Sequence, residues 1–324
     1  MHDNGRLRSF LGASGWEDAV VTKLAGDAST RQFHRVSRPG SASAIVMDAG
    51  EDTGSANRFL KLSPLLGSAG LSAPRIIFAA PERGMLLVED FGDDLFGAAL
   101  ERNPGYEGQL YETALAALVR FRDLDSSILP SRTADNLAQM IEPGLDHYFG
   151  VPSAKQPGII RILAAALERI SPPRLSFVHR DFHVENLIWL SERRGVARAG
   201  LIDFQDAFLG DPIYDLASLV TDARRDVGEA LRDRMIRDYA NETEQSHDAV
   251  ADRVALFGIQ RNLRILGIFT WLGAVPHKSR YLALVPRVRA YLDRDLMHPA
   301  AREVRTALTP YLELKATAAR GAES

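Results

Sequence analysis

The chain has 324 residues, a formal net charge of −3 and no cysteine. Its length is sufficient for two lobes with hydrophobic cores, and the absence of cysteine excludes disulfide scaffolds, thiolate metal sites and cysteine nucleophiles. The small negative charge gives no general attraction to nucleic acid or to acidic membrane surfaces, so we expect neither as a partner.

The first 92 residues are predicted to form short strands and one helix. Met1–Ser9 lack the apolar core of a secretory signal peptide, so we expect the protein to be cytoplasmic. Ser55–Leu66 is predicted to be a helix with Phe59, Leu62 and Leu66 on one side. Runs with β-branched residues or alternation predict strands at Val20–Leu24, Gln32–Val36, Ser43–Asp48, Arg75–Ala79 and Met85–Glu89. Residues 1–92 are therefore predicted to form a small, β-rich N-lobe.

The pattern changes to helices after Phe91-Gly92, which places a hinge near Asp90–Asp93, with a cleft between two lobes. The most apolar stretch, Leu256–Gly273, is interrupted by Arg261 and Arg264, so it predicts a buried amphipathic helix and not a membrane span. Helical periodicity covers Tyr106–Asp123, Ile159–Ile170, Glu229–Tyr239, Ala249–Leu272 and Ala300–Leu314. Short strands are predicted around Val178, Leu187 and Leu201. Residues 93–324 are therefore predicted to form a larger, mainly helical C-lobe, and the fold class is α+β.

The most informative motif of the chain follows the first of those short strands. Phe177–Asn186 reads FVHRDFHVEN, and Gly200–Asp206 reads GLIDFQD. His-x-Asp-x-x-x-x-Asn followed by apolar-Asp-Phe is the pattern that phosphoryl transfer from ATP requires. Asp181 is predicted to accept the hydrogen bond of the acceptor hydroxyl, and Asn186 and Asp203 are predicted to hold Mg²⁺ on the phosphates. The alternative interpretation is a salt-bridged loop and a solvated aspartate without a catalytic role.

Three residues near this motif are candidates for supporting it. Asp211–Ala217, DPIYDLA, opens an amphipathic helix soon after the metal-ligand motif. Asp215 at the start of this helix is expected to accept hydrogen bonds from the backbone of the catalytic loop, so we assign Asp215 and His179 to structural support. His183 has two interpretations, a hydrogen bond that stabilises the loop or a contact with the acceptor.

With these motifs the chain resembles the aminoglycoside phosphotransferase-like small-molecule kinases, distant relatives of protein kinases. The matching stretches span most of the chain: Leu24–Val36, Ile45–Ala49, Met85–Asp93, Val178–Leu187, Leu201–Leu216, Gln260–Phe269 and Tyr281–Leu292. The resemblance implies a protein-kinase-like bilobal fold and the cofactors ATP and Mg²⁺. Within the family the chain looks most like the amino-sugar branch, which phosphorylates the anomeric hydroxyl of N-acetylmuramate and N-acetylglucosamine in cell-wall recycling. In that branch the sugar 1-phosphate passes to a uridylyltransferase.

The order of the elements predicts the nucleotide site. Residues 26–31 lie between the first two strands, where a kinase has its phosphate-covering loop. The hydroxyls of Ser29 and Thr30 are predicted to bond phosphate oxygens, and Arg31 is predicted to supply positive charge. The backbone around Glu89–Phe91 is predicted to offer a carbonyl and an amide group to adenine, whereas the acidic side chains there are expected to be solvated.

The third strand departs from the protein-kinase pattern. Met47 stands where those kinases place the lysine that pairs with the α- and β-phosphates, and a methionine cannot supply that charge. Either Arg31 or Arg35 replaces the lysine, or ATP binds weakly and the chain is a non-catalytic pseudokinase. The amino-sugar kinases that this chain resembles also carry Met-Asp at this place, and the predicted catalytic and metal residues are all present, so we expect an active enzyme.

The acceptor is expected to be a small molecule, because too few residues follow Asp203 for the activation segment with which protein kinases hold a peptide. Residues 256–292 contain several basic residues and no Asp or Glu. Such a basic wall favours a neutral or anionic acceptor over a polycationic aminoglycoside. Arg261 and Arg264 share a helix face and are predicted to reach the lactyl carboxylate of N-acetylmuramate, and Tyr281 or Trp271 is predicted to stack on a sugar ring. The alternative for each residue is a solvated helix face or a salt bridge.

We therefore predict an ATP- and Mg²⁺-dependent kinase that acts on the anomeric hydroxyl of an amino sugar. Two alternatives stay open at this point. One is a kinase of another small hydroxyl compound, such as an aminoglycoside or an amino alcohol, and the other is a non-catalytic nucleotide-binding module.

Overall fold

The computed structural model describes residues 2–24, 31–40, 43–172 and 174–322. The chain forms two compact units. The first contains Met1–Ala117 and Glu185–Ala207, and the second contains Leu118–Val184 and Phe208–Ser324. The predicted division into functional lobes after Gly92 stays a prediction, and the two units are described separately below.

The described elements alternate between strands and helices in the N-terminal part and are mainly helical later in the chain. The strands are β1 (Val20–Lys23), β2 (Gln32–Ser37), β3 (Ala44–Asp48), β4 (Ile76–Ala80), β5 (Met85–Glu89), β6 (Ser176–Val178), β7 (Leu187–Trp189), β8 (Ala199–Leu201) and β9 (Phe208–Gly210). The α-helices are α1 (His2–Ala13), α2 (Thr53–Ser68), α3 (Phe96–Arg102), α4 (Glu107–Phe121), α5 (Ala134–Gln139), α6 (Gln156–Arg169), α7 (Ile213–Val220), α8 (Glu229–Glu242), α9 (His247–Gly273), α10 (Val285–Leu296) and α11 (Arg302–Ala322).

The first unit is built on an antiparallel sheet with the strand order β1-β2-β3-β5-β4. Apolar side chains of α1, including Phe10, pack on one face of this sheet together with Val36, Val46 and Leu87. On α2 the predicted apolar face, Phe59, Leu62 and Leu66, is buried. The sheet and α2 therefore form where strand alternation and helical periodicity predicted them.

The second unit is organised around the long helix α9. Residues Arg253–Leu263 of this helix are buried at every position, so its middle is surrounded on all sides. The predicted burial is therefore confirmed, but the predicted amphipathic character is wrong for this stretch. Two glycines allow a short π-helical turn, Gly144–Tyr148, to approach it closely. A Cβ atom on Gly144 would lie 2.0 Å from the Leu263 carbonyl oxygen, and one on Gly267 would lie 2.0 Å from the backbone of Pro143. This contact fixes the stretch of α9 that carries Arg261 and Arg264.

The predicted α+β class is confirmed, with a small antiparallel sheet in the first unit and a mainly helical second unit. The predicted strands agree with the observed strands to within one or two residues. The sequence patterns did not predict several elements, which are α1, α3, α5, α10 and β9. Among the described helices, none combines the length and the apolar character that crossing a bilayer requires.

Candidate active site

The predicted catalytic loop lies in the second unit and is held by a buried carboxylate. It follows β6, which pairs with β9 through Phe177 and Leu209. The side chain of Asp215, in the first turn of α7, accepts a hydrogen bond from the His179 amide at 2.5 Å and another from the Arg180 amide at 2.9 Å. These are the backbone hydrogen bonds that the sequence predicts for Asp215. Its support of catalysis stays a prediction.

Arg180 has a backbone conformation that needs such support. Its φ of 84° lies in the left-handed region, which costs a residue with a side chain about 1–3 kcal/mol. The Arg261 guanidinium donates a hydrogen bond to the Arg180 carbonyl at 2.6 Å, while Asp215 accepts from its amide. The two peptide groups on either side of the Arg180 Cα atom are therefore both held, and the strained turn projects the next residue, Asp181, from a fixed backbone.

The carboxylate of Asp181 lies among positive charges. Burial raises its pKa, but the charges of the surrounding basic side chains outweigh burial, so the pKa is lowered below its ordinary value. At neutral pH the positive side chains are Arg180, Arg261 and Arg264, and His183 adds to them only where it is protonated. The Arg180 guanidinium lies 3.9 Å from the Asp181 carboxylate, which is the structural salt bridge of this loop. Asp181 is therefore ionised at neutral pH, the state in which it accepts a hydrogen bond from a hydroxyl.

The two histidines of the loop lie in different surroundings. His179 is completely buried, stacked on Phe121 at 6.5 Å between centroids and edge-on to Phe182 at 5.6 Å, which fits its predicted support of the loop. His183 lies 3.4 Å from the Arg224 guanidinium. Burial lowers the pKa of His183, and the positive charge of Arg224 acts in the same direction, so His183 is neutral at pH 7.

A second buried carboxylate holds the end of the loop, and the sequence analysis missed it. Asp222 accepts hydrogen bonds from the Val184 amide at 3.1 Å and from the Arg224 amide at 2.8 Å. Asp222 lies just beyond the C-terminal end of α7, so helical spacing from Asp215 does not indicate its role.

The predicted metal residues lie in the first unit and are brought together by a short hairpin. Asn186 directly precedes β7, which pairs with β8 through Leu187 and Leu201, and the Ile202 amide donates to the Asn186 carbonyl at 3.2 Å. Asp203 follows with a φ of 63°, and its carboxylate accepts a hydrogen bond from Gln205 at 2.9 Å. A carboxylate and an amide oxygen are ligands that Mg²⁺ prefers. The Asp203 side chain is 37% exposed, so the donor set fits a hydrated magnesium ion.

Arg31 already places a positive charge at this position. Its guanidinium lies 2.8 Å from the Asp203 carboxylate, 3.9 Å from that of Asp206 and 3.5 Å from the Ser55 hydroxyl. Met47 is buried and serves packing. Of the two arginines considered as replacements for the missing lysine, Arg31 is therefore the one that lies at the predicted metal ligand.

Arg35, within β2, directs its guanidinium instead to two carboxylates that follow β5. It forms ion pairs with Asp90 and with Asp93, each at 2.7 Å, and these carboxylates raise its pKa. Asp90 was expected to be solvated, which is wrong, because its side chain is only 3% exposed. Burial raises the pKa of Asp90, but the hydrogen bonds from Arg35, Ser43 and the Gly92 amide lower it below the ordinary value.

Some of the groups predicted to contact adenine around Glu89–Phe91 form hydrogen bonds and ion pairs within the protein instead. The Glu89 amide donates to the Arg75 carbonyl at 2.8 Å, and the Glu89 side chain pairs with Arg193 at 2.7 Å. Arg193 also covers the ring of Phe91, 4.9 Å from its centroid. Neither the amide nor the side chain of Glu89 is therefore available to a purine, and the rest of this prediction stays a prediction. Ser29 and Thr30 lie outside the described residues.

The candidate acceptor residues separate into buried and accessible side chains. Arg261 is buried, with its guanidinium 4.9 Å from the centroid of the Tyr214 ring, so it is not on a solvated helix face. Arg264, one turn further along α9, is partly exposed. Trp271 is 54% exposed, whereas Tyr281 is buried against Phe269. Stacking of a sugar on Tyr281 is therefore wrong, because its ring has no open face for a ligand of that size.

Taken together, the fold and these residues define a kinase-type phosphotransferase, because an ionised loop aspartate and an Asn–Asp pair of oxygen ligands are parts that phosphoryl-transfer enzymes share. Residues 20–252 match the model of the phosphotransferase enzyme family, and the chain belongs to this family. It is an enzyme of the small-molecule kinase type.

Relatives support this assignment, and solved structures support the fold. The chain is 33% identical to the N-acetylmuramate/N-acetylglucosamine kinase of Caulobacter vibrioides, over 95% of this chain and 96% of the relative. It is 31% identical to the protein of the same name from Pseudomonas aeruginosa, over 98% and 95%. A choline/ethanolamine kinase family protein from Mesorhizobium loti has a TM-score of 0.63 at 17% identity, covering 95% of this chain and 98% of that one. An aminoglycoside phosphotransferase crystallised with ADP and hygromycin B has a TM-score of 0.62 at 13% identity, covering 90% and 98%. The predicted protein-kinase-like fold is thereby confirmed.

Proposed function

We propose that this enzyme uses ATP and Mg²⁺ to phosphorylate the anomeric hydroxyl of an amino sugar, N-acetylmuramate or N-acetylglucosamine, and forms the sugar 1-phosphate. The observation that supports this most directly is the ionised Asp181 on a loop whose backbone is held by Asp215 and Arg261. The amino-sugar acceptor is supported by the names of the two relatives that are more than 30% identical.

Each residue has a defined task in this proposal. Asp181 accepts a hydrogen bond from the acceptor hydroxyl, orients it for attack and takes its proton. Asn186 and Asp203 would hold Mg²⁺. ATP with its metal ion supplies the phosphoryl group and neutralises the charge that develops during transfer. Arg31 adds positive charge on the phosphate side, in place of the lysine that is absent at Met47.

The remaining parts of the nucleotide site are included in the proposal. The hydroxyls of Ser29 and Thr30 bond phosphate oxygens, and the backbone around Glu89–Phe91 provides the adenine contact. Residues 1–92 act as the lobe that covers the nucleotide, and residues 93–324 provide the catalytic loop and the acceptor site.

The cellular role follows from the chemistry of the product. A sugar 1-phosphate is the type of compound that a uridylyltransferase uses, so the enzyme would act in the cytoplasm within cell-wall recycling. A pseudokinase is the alternative that Met47 raises, and the contact of Arg31 with Asp203 argues against it because Arg31, directly before β2, supplies positive charge instead.

Turnover and product analysis test the proposal. ADP release is measured with N-acetylmuramate, N-acetylglucosamine and kanamycin, and the product position is assigned by phosphorus NMR. We expect phosphorylation of the sugars at C1 and poor turnover of kanamycin. Rapid turnover of kanamycin would overturn the proposed acceptor, and phosphate at another hydroxyl would overturn the anomeric assignment.

Two variants test the roles of the carboxylates. Asp181→Asn is expected to lower kcat by roughly 10²–10⁴ with little change in Mg-ATP affinity, because only proton acceptance and orientation are lost. Asp203→Asn is expected to weaken Mg²⁺-dependent ATP binding itself. An active Asp181→Asn enzyme would contradict the mechanism, and unchanged Mg-ATP affinity in Asp203→Asn would contradict its role as a ligand.

A further inference from the structure

Three arginines surround the carboxylate of Asp181, and their contacts differ. Arg180 pairs with Asp181 at 3.9 Å, and Arg261 is hydrogen-bonded to the Arg180 carbonyl at 2.6 Å. Arg264 lies close enough to interact electrostatically with all three of these residues. Within the described part of the chain, however, Arg264 forms no hydrogen bond and no ion pair. Its five N–H donors are therefore available to a ligand.

A guanidinium in this position is costly without a partner. Burial lowers the pKa of Arg264, and the positive charges of Arg180 and Arg261 act in the same direction. The group nevertheless stays charged at neutral pH, because arginine does not lose its proton in proteins. A partly desolvated positive charge with unused donors is stabilised by an anion, and a guanidinium binds a carboxylate or a phosphate through two parallel hydrogen bonds.

The surroundings favour an anion of the acceptor over a phosphate of the nucleotide. Arg264 interacts with Asp181, the residue proposed to bind the acceptor hydroxyl. Positive charge for the phosphates is already supplied by Arg31, whose guanidinium lies at the predicted metal ligand Asp203. Trp271 lies seven residues after Arg264 on α9, on the same helix face and about 10 Å further along the axis. Its exposed ring provides an apolar surface for a sugar beside the basic group.

We propose that Arg264 binds a carboxylate of the sugar acceptor, whereas Arg261 is a positioning residue that holds the catalytic loop. This inference rests on the proposed function and assigns different roles to two arginines that lie on one helix face. The acceptor class that it specifies is an amino sugar with a carboxylate substituent, such as the lactyl group of N-acetylmuramate.

Matched substrates separate the carboxylate from the rest of the sugar. Initial rates are measured with N-acetylmuramate, its methyl ester and N-acetylglucosamine, for the wild type, Arg264→Gln and Arg264→Lys. Arg264→Gln is expected to lower kcat/KM for N-acetylmuramate by roughly 10- to 100-fold, mainly through KM, because charge-assisted hydrogen bonds to a carboxylate are lost. The two substrates without a carboxylate are expected to change by less than about threefold, and Arg264→Lys is expected to recover part of the loss.

Two control variants test the division of roles. Arg161→Gln removes an exposed arginine from α6, outside the basic wall of residues 256–292, and is expected to leave all three substrates unchanged. Arg261→Met is expected to lower kcat for both sugars by the same factor and to leave the ratio of their KM values unchanged. A selective loss of N-acetylmuramate in Arg261→Met would reverse the roles and overturn the proposal.

The other outcomes are also decisive. Equal losses for both sugars in Arg264→Gln, with a raised KM for ATP, would place Arg264 on a nucleotide phosphate and overturn the proposal. Equal losses with an unchanged KM for ATP would assign Arg264 to loop support and would overturn it as well.

If the wild type turns over neither sugar, the proposed function fails, and calorimetry then tests the inference about Arg264 separately. It is supported if N-acetylmuramate binds more tightly than its methyl ester and Arg264→Gln removes that preference, and it is overturned otherwise. Thermal unfolding of each variant confirms that it is folded.

Discussion

Replacing Asp215 by asparagine tests how much the catalytic loop depends on one buried carboxylate. The two hydrogen bonds from the His179 and Arg180 amides are charge-assisted and are worth about 1.5–3 kcal/mol each. Asparagine has a single acceptor oxygen, so one of these amides loses its partner, and an unpaired buried N–H costs about 1–3 kcal/mol. This loss is as large as the roughly 1–3 kcal/mol that the left-handed conformation of Arg180 costs, so the turn is expected to relax.

The expected consequence for catalysis is large because Asp181 follows this turn directly. Displacement of a catalytic group by about 1 Å can cost roughly 10²-fold in rate, so we expect Asp215→Asn to lower kcat by at least that factor with little change in the KM for ATP. The assay is ADP release at saturating sugar and nucleotide. A kcat within about threefold of the wild-type value would refute the reasoning.

The ionisation of Asp215 gives the same test a pH dependence. Burial raises the pKa of Asp215 to about 7, against the two amide hydrogen bonds and the charge of Arg261, which lower it. Below that pH the carboxyl takes up a proton and one oxygen becomes a donor, so kcat of the wild type is expected to fall as the pH decreases from about 8 to 6.

The effect on stability has the opposite sign. The pKa of Asp215 in the folded protein lies above the ordinary value of 3.8, so the folded state binds this proton more tightly than the unfolded state. The contribution of Asp215 to the free energy of unfolding is therefore expected to fall by roughly 4 kcal/mol as the pH rises from 3.8 to about 7.

Amide hydrogen exchange provides a readout that does not involve nucleotide, whose phosphates also titrate. We expect the intrinsic-rate-corrected protection of the His179 and Arg180 amides to decrease below pH about 7 in the wild type. In Asp215→Asn this protection is expected to be low and independent of pH. Protection that does not change between pH values of about 6 and 8 in the wild type would show that this carboxylate does not titrate there.

Two further predictions concern the phosphate side and the core. Arg31→Ala is expected to raise the KM for ATP and to lower kcat, because the positive charge 2.8 Å from the Asp203 carboxylate is removed. The control Met47→Ala is expected only to loosen packing. Unchanged ATP kinetics in Arg31→Ala would mean that another group contacts the phosphates. Gly267→Ala is expected to lower the free energy of unfolding by about 1–3 kcal/mol or more in urea titrations, because its Cβ would meet Pro143 at 2.0 Å. Gly158→Ala in α6, with nothing near the added atom, is expected to raise it by about 0.5–1 kcal/mol, and equal effects of both glycine substitutions would contradict the close contact.

The amino-acid sequence alone predicted the hydrogen bonds of Asp215 to the backbone of the loop before Asp181, and the catalytic and metal roles that it assigns stay predictions. The prediction of these roles rests on side chains with specific uses in phosphoryl transfer, which are Asp181, Asn186 and Asp203. Their spacing along the chain is read directly from the sequence. The hydrogen bonds of Asp215 were predicted from its place as a carboxylate at the start of a helix that begins soon after Asp203. Helical periodicity also predicted the buried faces of α2 and α4, since burial of an amphipathic helix depends mainly on its own side chains.

Pairing between distant charges was decided only by the tertiary structure. The sequence offered both Arg31 and Arg35 for the phosphates, but Arg35 pairs with Asp90, which is 55 residues away. No local sequence pattern predicts such an ion pair, because an arginine or an aspartate taken singly could equally well be exposed to solvent. The same holds for Tyr281, whose burial depends on how Phe269 packs against it.

Arg261 and Arg264 show this limit most clearly. The sequence places them three residues apart on one helix face and assigns both the same chemistry. In the fold, Arg261 is bonded to a carbonyl 81 residues away, while Arg264 remains beside the same loop without a hydrogen bond to a described residue. Helix geometry determines the direction of a side chain from its sequence position, but whether its charge meets a protein group or a ligand depends on which other segment packs opposite it.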